Sequence, residues 1–148
     1  AGGIMKALPQ LSEQDQPFLV INGDIYIDYD FTDLPKLTHE QLAHLWLVDN
    51  PEHNPCGDFA LTGQYLAMLD SSSVEPGYTF SGIGLYRPSF FADHASEKVM
   101  ALAPVIKAAI AKQAVTASKL PGFWTDVGTP LRLQQINQKL QHLSEDMN

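Results

Sequence analysis

The sequence predicts an α/β fold, and three features predict it. Two short, nearly unbroken apolar runs, Phe18-Leu19-Val20-Ile21 and Ala43-His44-Leu45-Trp46-Leu47-Val48, suit strands buried on both faces, as in a parallel sheet. Two later segments, 102–112 and 129–143, carry apolar residues at helical spacing. Both apolar runs end in loop formers, where open α/β sheets place their ligands.

The elements follow in order. Ile4 to Leu8 reads as a short helix that stops at Pro9, because proline disfavours the helical conformation before it. Phe18 to Asn22 is the first strand and ends in Asn22-Gly23-Asp24. Phe31 to Leu37 is predicted as a short helical piece with Asp30 as its N-cap. Ala43 to Val48 is the second strand, and the turn-rich loop 49–57 follows it. Asp58–Leu61 and Tyr65–Leu69 form a hairpin around Thr62-Gly63-Gln64. Tyr78 to Tyr86 is a strand whose glycines mark a close approach to the backbone. Pro88 to Ala92 is a short helix, and Leu102 to Lys112 a longer one with Pro104 in its first turn. Ala114–Ala117 and Gly122–Val127 are short strands. Thr129 to Leu143 is a helix with Thr129 as N-cap and Pro130 first inside; Leu131, Leu133, Ile136, Leu140 and Leu143 form its apolar face.

The 148 residues fit one domain or a large piece of one. No run approaches the roughly 20 apolar residues of a membrane span, and Ala1-Gly2-Gly3-Ile4 does not open a signal peptide. A net charge of -8 argues against nucleic acid as a partner. Cys56 stands alone, which excludes an internal disulfide and a multi-cysteine zinc site and fits a cytoplasmic setting. In a loop, with no thiolate-activating neighbour in sequence, it reads as an ordinary residue.

Two aspartates are placed for chemistry. Asp24 closes the first strand, and Asp126 lies in Trp124-Thr125-Asp126-Val127-Gly128-Thr129-Pro130, between a strand and a helix start. Two carboxylates converging at strand ends suit Mg²⁺, which takes one or two carboxylates plus substrate phosphates. Each also has a plain reading, as a turn residue or a neighbour of a cap, and the residues alone leave both open. Asp28 and Asp30 read as turn and cap residues. His53 stands in a Pro-rich loop and reads as solvated, with a role as base the alternative; His44 lies inside a strand and reads as structural. No phosphate-cradling glycine loop of Walker or Rossmann spacing is present.

Taken together, Ala1-Gly2-Gly3, Phe18 to Asp24, Phe80-Ser81-Gly82-Ile83-Gly84-Leu85-Tyr86 and Trp124 to Pro130 resemble the sugar-1-phosphate nucleotidyltransferases. Val48-Asp49-Asn50-Pro51, Gly57-Asp58-Phe59-Ala60-Leu61 and Leu102-Ala103-Pro104 are similar to a narrower branch. That branch comprises the N-acetylmuramate 1-phosphate uridylyltransferases of cell-wall recycling and close relatives labelled mannose-1-phosphate guanylyltransferases. The resemblance implies a Rossmann-like, mixed but mainly parallel sheet flanked by helices, the nucleotide-diphospho-sugar transferase fold. It implies that residues 1–148 are the C-terminal portion of one domain, without the glycine-rich loop and its Arg and Lys, and inactive alone. It implies transfer of UMP from UTP to N-acetylmuramate 1-phosphate, with pyrophosphate leaving. Asp24 and Asp126 would be catalytic, as ligands of Mg²⁺. Gly2 and Gly3 would lie against the base, and Asn22 would touch substrate. Gly57, Asp58, Ser81 and Gly82 would line the sugar pocket, and Trp124 would brace the second metal loop. The alternatives are a GTP-dependent mannose-1-phosphate guanylyltransferase, a metal-dependent glycosyltransferase of the same fold, and a non-catalytic nucleotide-binding module. Oligomeric state stays open, with a homo-oligomer among the options.

Overall fold

The computed structural model of the protein describes residues 2–69, 76–94 and 101–146. Ala1 of the Ala-Gly-Gly motif lies outside them, as does the side chain of Leu143. The elements run α1 (Gly2–Leu11), β1 (Phe18–Ile21), β2 (Ile25–Ile27), β3 (Ala43–Val48), β4 (Phe59–Thr62), β5 (Tyr65–Met68) and β6 (Thr79–Tyr86). A 3₁₀ helix (Pro88–His94), α2 (Leu102–Ala111), β7 (Val115–Lys119), β8 (Trp124–Asp126) and α3 (Pro130–Asp146) complete the order. No helix among the described residues is long and apolar enough to cross a membrane.

Six strands form one sheet in the order β1-β6-β3-β7-β5-β4. The expected α/β sheet is present and mixed. Its mainly parallel character holds for strand direction rather than for neighbours. Of the five pairings only β3 with β7 is parallel, yet β1, β3, β7 and β4 all point one way. Their carboxyl ends therefore open on a single edge. Strand β1 corrects the expectation of a doubly buried parallel strand: it pairs antiparallel to β6, its one partner among the described residues, and leaves Ile21 44% exposed. An apolar run reports two apolar surroundings but not the direction of a neighbour. Phe18 and Val20 serve one face of the sheet and Leu19 the other. By contrast, every residue of β3, at the centre of the sheet, is buried.

Two apolar layers clamp the sheet. One joins Phe18, Leu45, Leu47, Tyr86 and Val115 to Phe90 and Phe91 of the 3₁₀ helix and to Val105, Ile106 and Ala109 of α2. Helix α1 adds Ile4, Met5 and Leu8 to this layer. That packing carries α1 through Pro9, where the sequence predicts a stop; the helix runs two residues further. The other layer centres on Trp46, Ile83, Leu85 and Leu120 and is covered by Ile25, Ile27, Phe31, Leu37 and Trp124 rather than by a helix.

Residues 31–37 are not helical. Oδ1 of Asp30 accepts the Thr32 N–H at 2.9 Å, and this local turn replaces the expected cap. At α3 the Thr129 hydroxyl accepts the Arg132 N–H at 3.3 Å, in keeping with an N-cap. Ile136 is buried there, but Leu131 and Leu133 are exposed, so the predicted apolar face is used only in part.

His44 is the buried polar residue of β3. Its Nδ1 lies 2.9 Å from the Thr116 hydroxyl and its Nε2 2.9 Å from that of Ser118. Both hydroxyls can donate or accept, so a neutral ring is satisfied. Desolvation lowers its pKa from the ordinary 6.5 to about 4. Between those two values the unfolded chain binds a proton that the folded chain refuses. Stability is therefore expected to fall as pH drops from 6.5 towards 4. Urea unfolding across that window should have a clearly flatter pH slope in His44→Gln than in the parent.

Candidate functional site

Four short segments meet at the edge where β1, β3 and β7 end. The chain leaves β1 through Asn22-Gly23-Asp24 and turns into β2. It leaves β7 through 120–123 and enters β8. Strands β2 and β8 then pair antiparallel, with Ile25 opposite Asp126, Tyr26 opposite Thr125 and Ile27 opposite Trp124. The Val127 N–H donates to the Asp24 carbonyl at 2.7 Å and closes the ladder. Positions 24 and 126, distant in sequence, are thus neighbours in the backbone. The ladder sits on the second apolar layer through Ile25, Ile27 and Trp124.

The loop after β3 reaches the same place. His53 Nε2 lies 3.8 Å from Oδ1 of Asp126. From the other side Arg132, in the first turn of α3, pairs with Oδ2 of Asp126. The carboxylate of Asp126 is one-quarter exposed and held between these two groups. Asp24 is exposed. Among the described residues no group of three or more His, Cys, Asp or Glu side chains gathers to hold a metal. A cation here would rest on two hard carboxylates and on oxygens brought by substrate or water. That donor set fits Mg²⁺, which keeps several waters and seldom takes an all-protein cage.

Behind this edge, on the face covered by α1 and α2, lies a cavity of about 1090 Å³. Gly3, Asn22, Gly57, Asp58 and Gly82 line it, as do Val20, Phe59, Phe80, Leu102 and Ile106. Asp24 and Asp126 are not among its lining residues; Asn22, two residues before Asp24, is the link between them. Gly82 has φ +81°, and a Cβ added there would meet the Asn22 amide nitrogen at 2.7 Å. The close approach expected at the strand glycines is therefore made by protein: Asn22 at Gly82, and the Tyr86 ring at Gly84. Gly57, with φ +76°, would drive a Cβ into the backbone at Gly77 and Tyr78 at 2.8 Å.

The remaining site residues differ in what they do. Asp58 lines the cavity, but its oxygens are engaged: Oδ2 accepts the Phe80 N–H at 2.8 Å and Oδ1 accepts from the Asn54 amide at 3.0 Å. Ser81 is fully buried and does not line the cavity. Its hydroxyl donates to the Trp46 carbonyl at 2.7 Å and accepts the Ile83 N–H at 3.2 Å, so the expected pocket role gives way to an internal one. Trp124 donates its indole N–H to the Ser81 carbonyl at 2.9 Å, tying β8 to the main sheet. Gly2 is the first residue of α1 and does not line the cavity, while Gly3 does. A Cβ on Gly3 would meet no protein atom within 4 Å, so nothing in the fold itself requires glycine there.

No family model matches the chain. It is 46% identical over 145 residues to an N-acetylmuramate alpha-1-phosphate uridylyltransferase of Neisseria meningitidis serogroup B, a match over 91% of this chain and 59% of that protein. It is 28% identical over 131 residues to the bifunctional protein GlmU of Methanococcus aeolicus, over 81% of this chain and 31% of that protein. The chain thus spans under two thirds of the length of both curated relatives. Among solved structures, a protein of Bacillus anthracis assigned as a glucose-1-phosphate thymidylyltransferase superposes with a TM-score of 0.67 at 20% identity, over 93% of this chain and 57% of that one. The inositol-1-phosphate CTP transferase of T. maritima superposes with a TM-score of 0.61 at 11% identity, over 86% of this chain and 55% of that one. Both share its fold.

The contact between Asn22 and Gly82 gives a test of how the cavity is tied to the strand end. Gly82→Ala adds both left-handed strain and a clash, and is expected to cost about 1–2 kcal/mol or more. Gly63, with φ +61° and open space around it, isolates the strain. Urea unfolding should show Gly82→Ala as the costlier of the two; equal costs would mean that Asn22 moves aside freely.

Proposed function

We propose, for a chain that belongs over the stretch it spans to the sugar-1-phosphate nucleotidyltransferases, that the protein transfers a nucleotidyl group to a sugar 1-phosphate. The specific reading is UMP from UTP to N-acetylmuramate 1-phosphate, the reaction in the name of the meningococcal relative. It carries with it magnesium as the cation, a cytoplasmic setting and a place in cell-wall recycling. The observation that supports it most is the β2–β8 ladder, which brings Asp24 and Asp126 together beyond the carboxyl ends of β1 and β7.

In this reaction an oxygen of the sugar phosphate bonds to the α-phosphorus of the triphosphate. The bond from that phosphorus to the bridging oxygen breaks, and pyrophosphate leaves with the electron pair. The chemistry is mostly a matter of holding charged groups in line. Asp24 and Asp126 would hold Mg²⁺, whose charge offsets that of the phosphates when it is bound. Arg132 grips one oxygen of Asp126 and fixes the direction of the carboxylate. Trp124, anchored on Ser81, keeps β8 from sliding. The cavity beyond Asn22 has the room and the apolar walls to take the sugar.

The test is pyrophosphate release by the intact protein with UTP, Mg²⁺ and N-acetylmuramate 1-phosphate. GTP with mannose 1-phosphate runs in parallel. Asp126→Asn should cut turnover by about 100-fold or more and weaken Mn²⁺ binding measured by calorimetry. Unchanged metal-dependent turnover in Asp126→Asn would remove the site from the mechanism. Transfer of sugar from a ready-made nucleotide-sugar, without pyrophosphate release, would favour a glycosyltransferase instead.

A further inference from the structure

The cations of this acidic chain are mostly committed. Lys112, Lys119 and Arg132 each pair with a carboxylate. Arg87 donates to the backbone carbonyls of Gln41, Asp15 and Leu37, and Lys139 lies over the Phe123 ring. Among the described residues Lys6, Lys36 and Lys107 have no such partner, and of the three only Lys107 lines the large cavity. It does so from α2, beside Leu102 and Ile106. The other charged lining residue, Asp58, has both oxygens taken by Phe80 and Asn54. Among the described residues the cavity thus presents mostly apolar walls and one positive charge without an ion-pair partner.

Away from its phosphate, a neutral sugar gives such a charge nothing to neutralise, whereas an acidic sugar brings a second anion. Muramic acid differs from glucosamine by a lactyl ether that bears a carboxylate, and the lactyl methyl suits an apolar wall. We infer that Lys107 is a specificity residue that receives the carboxylate of an acidic sugar 1-phosphate in this cavity, an inference that rests on the proposed function. The phosphate end of such a sugar would then lie towards Asn22, the lining residue closest along the chain to Asp24. An ammonium on α2, an element that carries neither Asp24 nor Asp126, selects for the acid without touching the reacting atoms.

The experiment is equilibrium binding to the intact protein with Mg²⁺ and a non-hydrolysable UTP analogue. The ligands are N-acetylmuramate 1-phosphate and N-acetylglucosamine 1-phosphate. Lys107→Gln should weaken the acidic ligand roughly tenfold or more, since hydrogen bonds to charged groups are the stronger kind, and leave the neutral one unchanged. Lys107→Arg should keep most of the affinity for the acid, which also guards against a folding defect. Equal weakening of both ligands, or no weakening of the acid, overturns the assignment. If the parent binds the neutral ligand but not the acid, the inference falls and nucleotidyl transfer stands. If it binds neither, the proposed function falls as well.

Discussion

The site depends on a ladder of three residue pairs. Ile25 to Ile27 and Trp124 to Asp126 are each too short to be stable as strands in water, and two-stranded ribbons are marginal at best. What stabilises them is the apolar layer beneath, where Ile25, Ile27 and Trp124 cover Trp46, Ile83 and Leu85. Burial is the driving force, and the backbone bonds give it direction. Because side chains alternate along a strand, a slip of one residue would turn Trp124 away from that layer and move Asp126 from its place opposite Ile25. Apolar packing thereby sets where a carboxylate stands.

Hydrogen bonds from the sheet complete the frame. Ser81, with no exposed surface, uses its hydroxyl within the sheet and lends its carbonyl to Trp124. Asn22 packs its amide against Gly82 on the same strand. Asn50, Asn54 and Thr79 weave the loop after β3 onto the start of β6. Strand β6 therefore touches three segments of the site: the exit from β1, the loop carrying His53 and Asp58, and β8. It runs against the direction of β1 and β3, so its first residues lie at the edge where theirs finish.

Much of this was legible in the sequence. Asp24 and Asp126 stand out because one closes an apolar run and the other lies between a strand and a helix start. The hairpin at Gly63, the central strand 43–48 and helix α2 follow from patterns within single segments. What pattern does not carry is adjacency. His53 reads as a loop residue, and it reaches Asp126 only because β3 and β7 are parallel neighbours that release their loops at one edge. Strand β1 looked doubly buried because an apolar run does not say whether its neighbour is parallel, or whether there is one on each side. Arg132 did leave a signal that the sequence reading missed. A cation in the first turn of a helix opposes the helix dipole, so it calls for a nearby carboxylate, and Asp126 is six residues away. Lys107 left none, since a lysine on an amphipathic helix is ordinary until the cavity beside it is known.

The order of strands in the main sheet has a consequence for chain entropy. Taken alone, joining positions 24 and 126 closes a loop of about 100 residues, at a cost on the order of 4 kcal/mol. With β1 and β7 already seated in the sheet, the slack is Asn22 to Asp24 on one side and Leu120 to Asp126 on the other. Fully extended, these tethers reach roughly 10 Å and roughly 25 Å. The two aspartates are leashed to a rigid frame: they can loosen, but they cannot drift far apart while the frame endures.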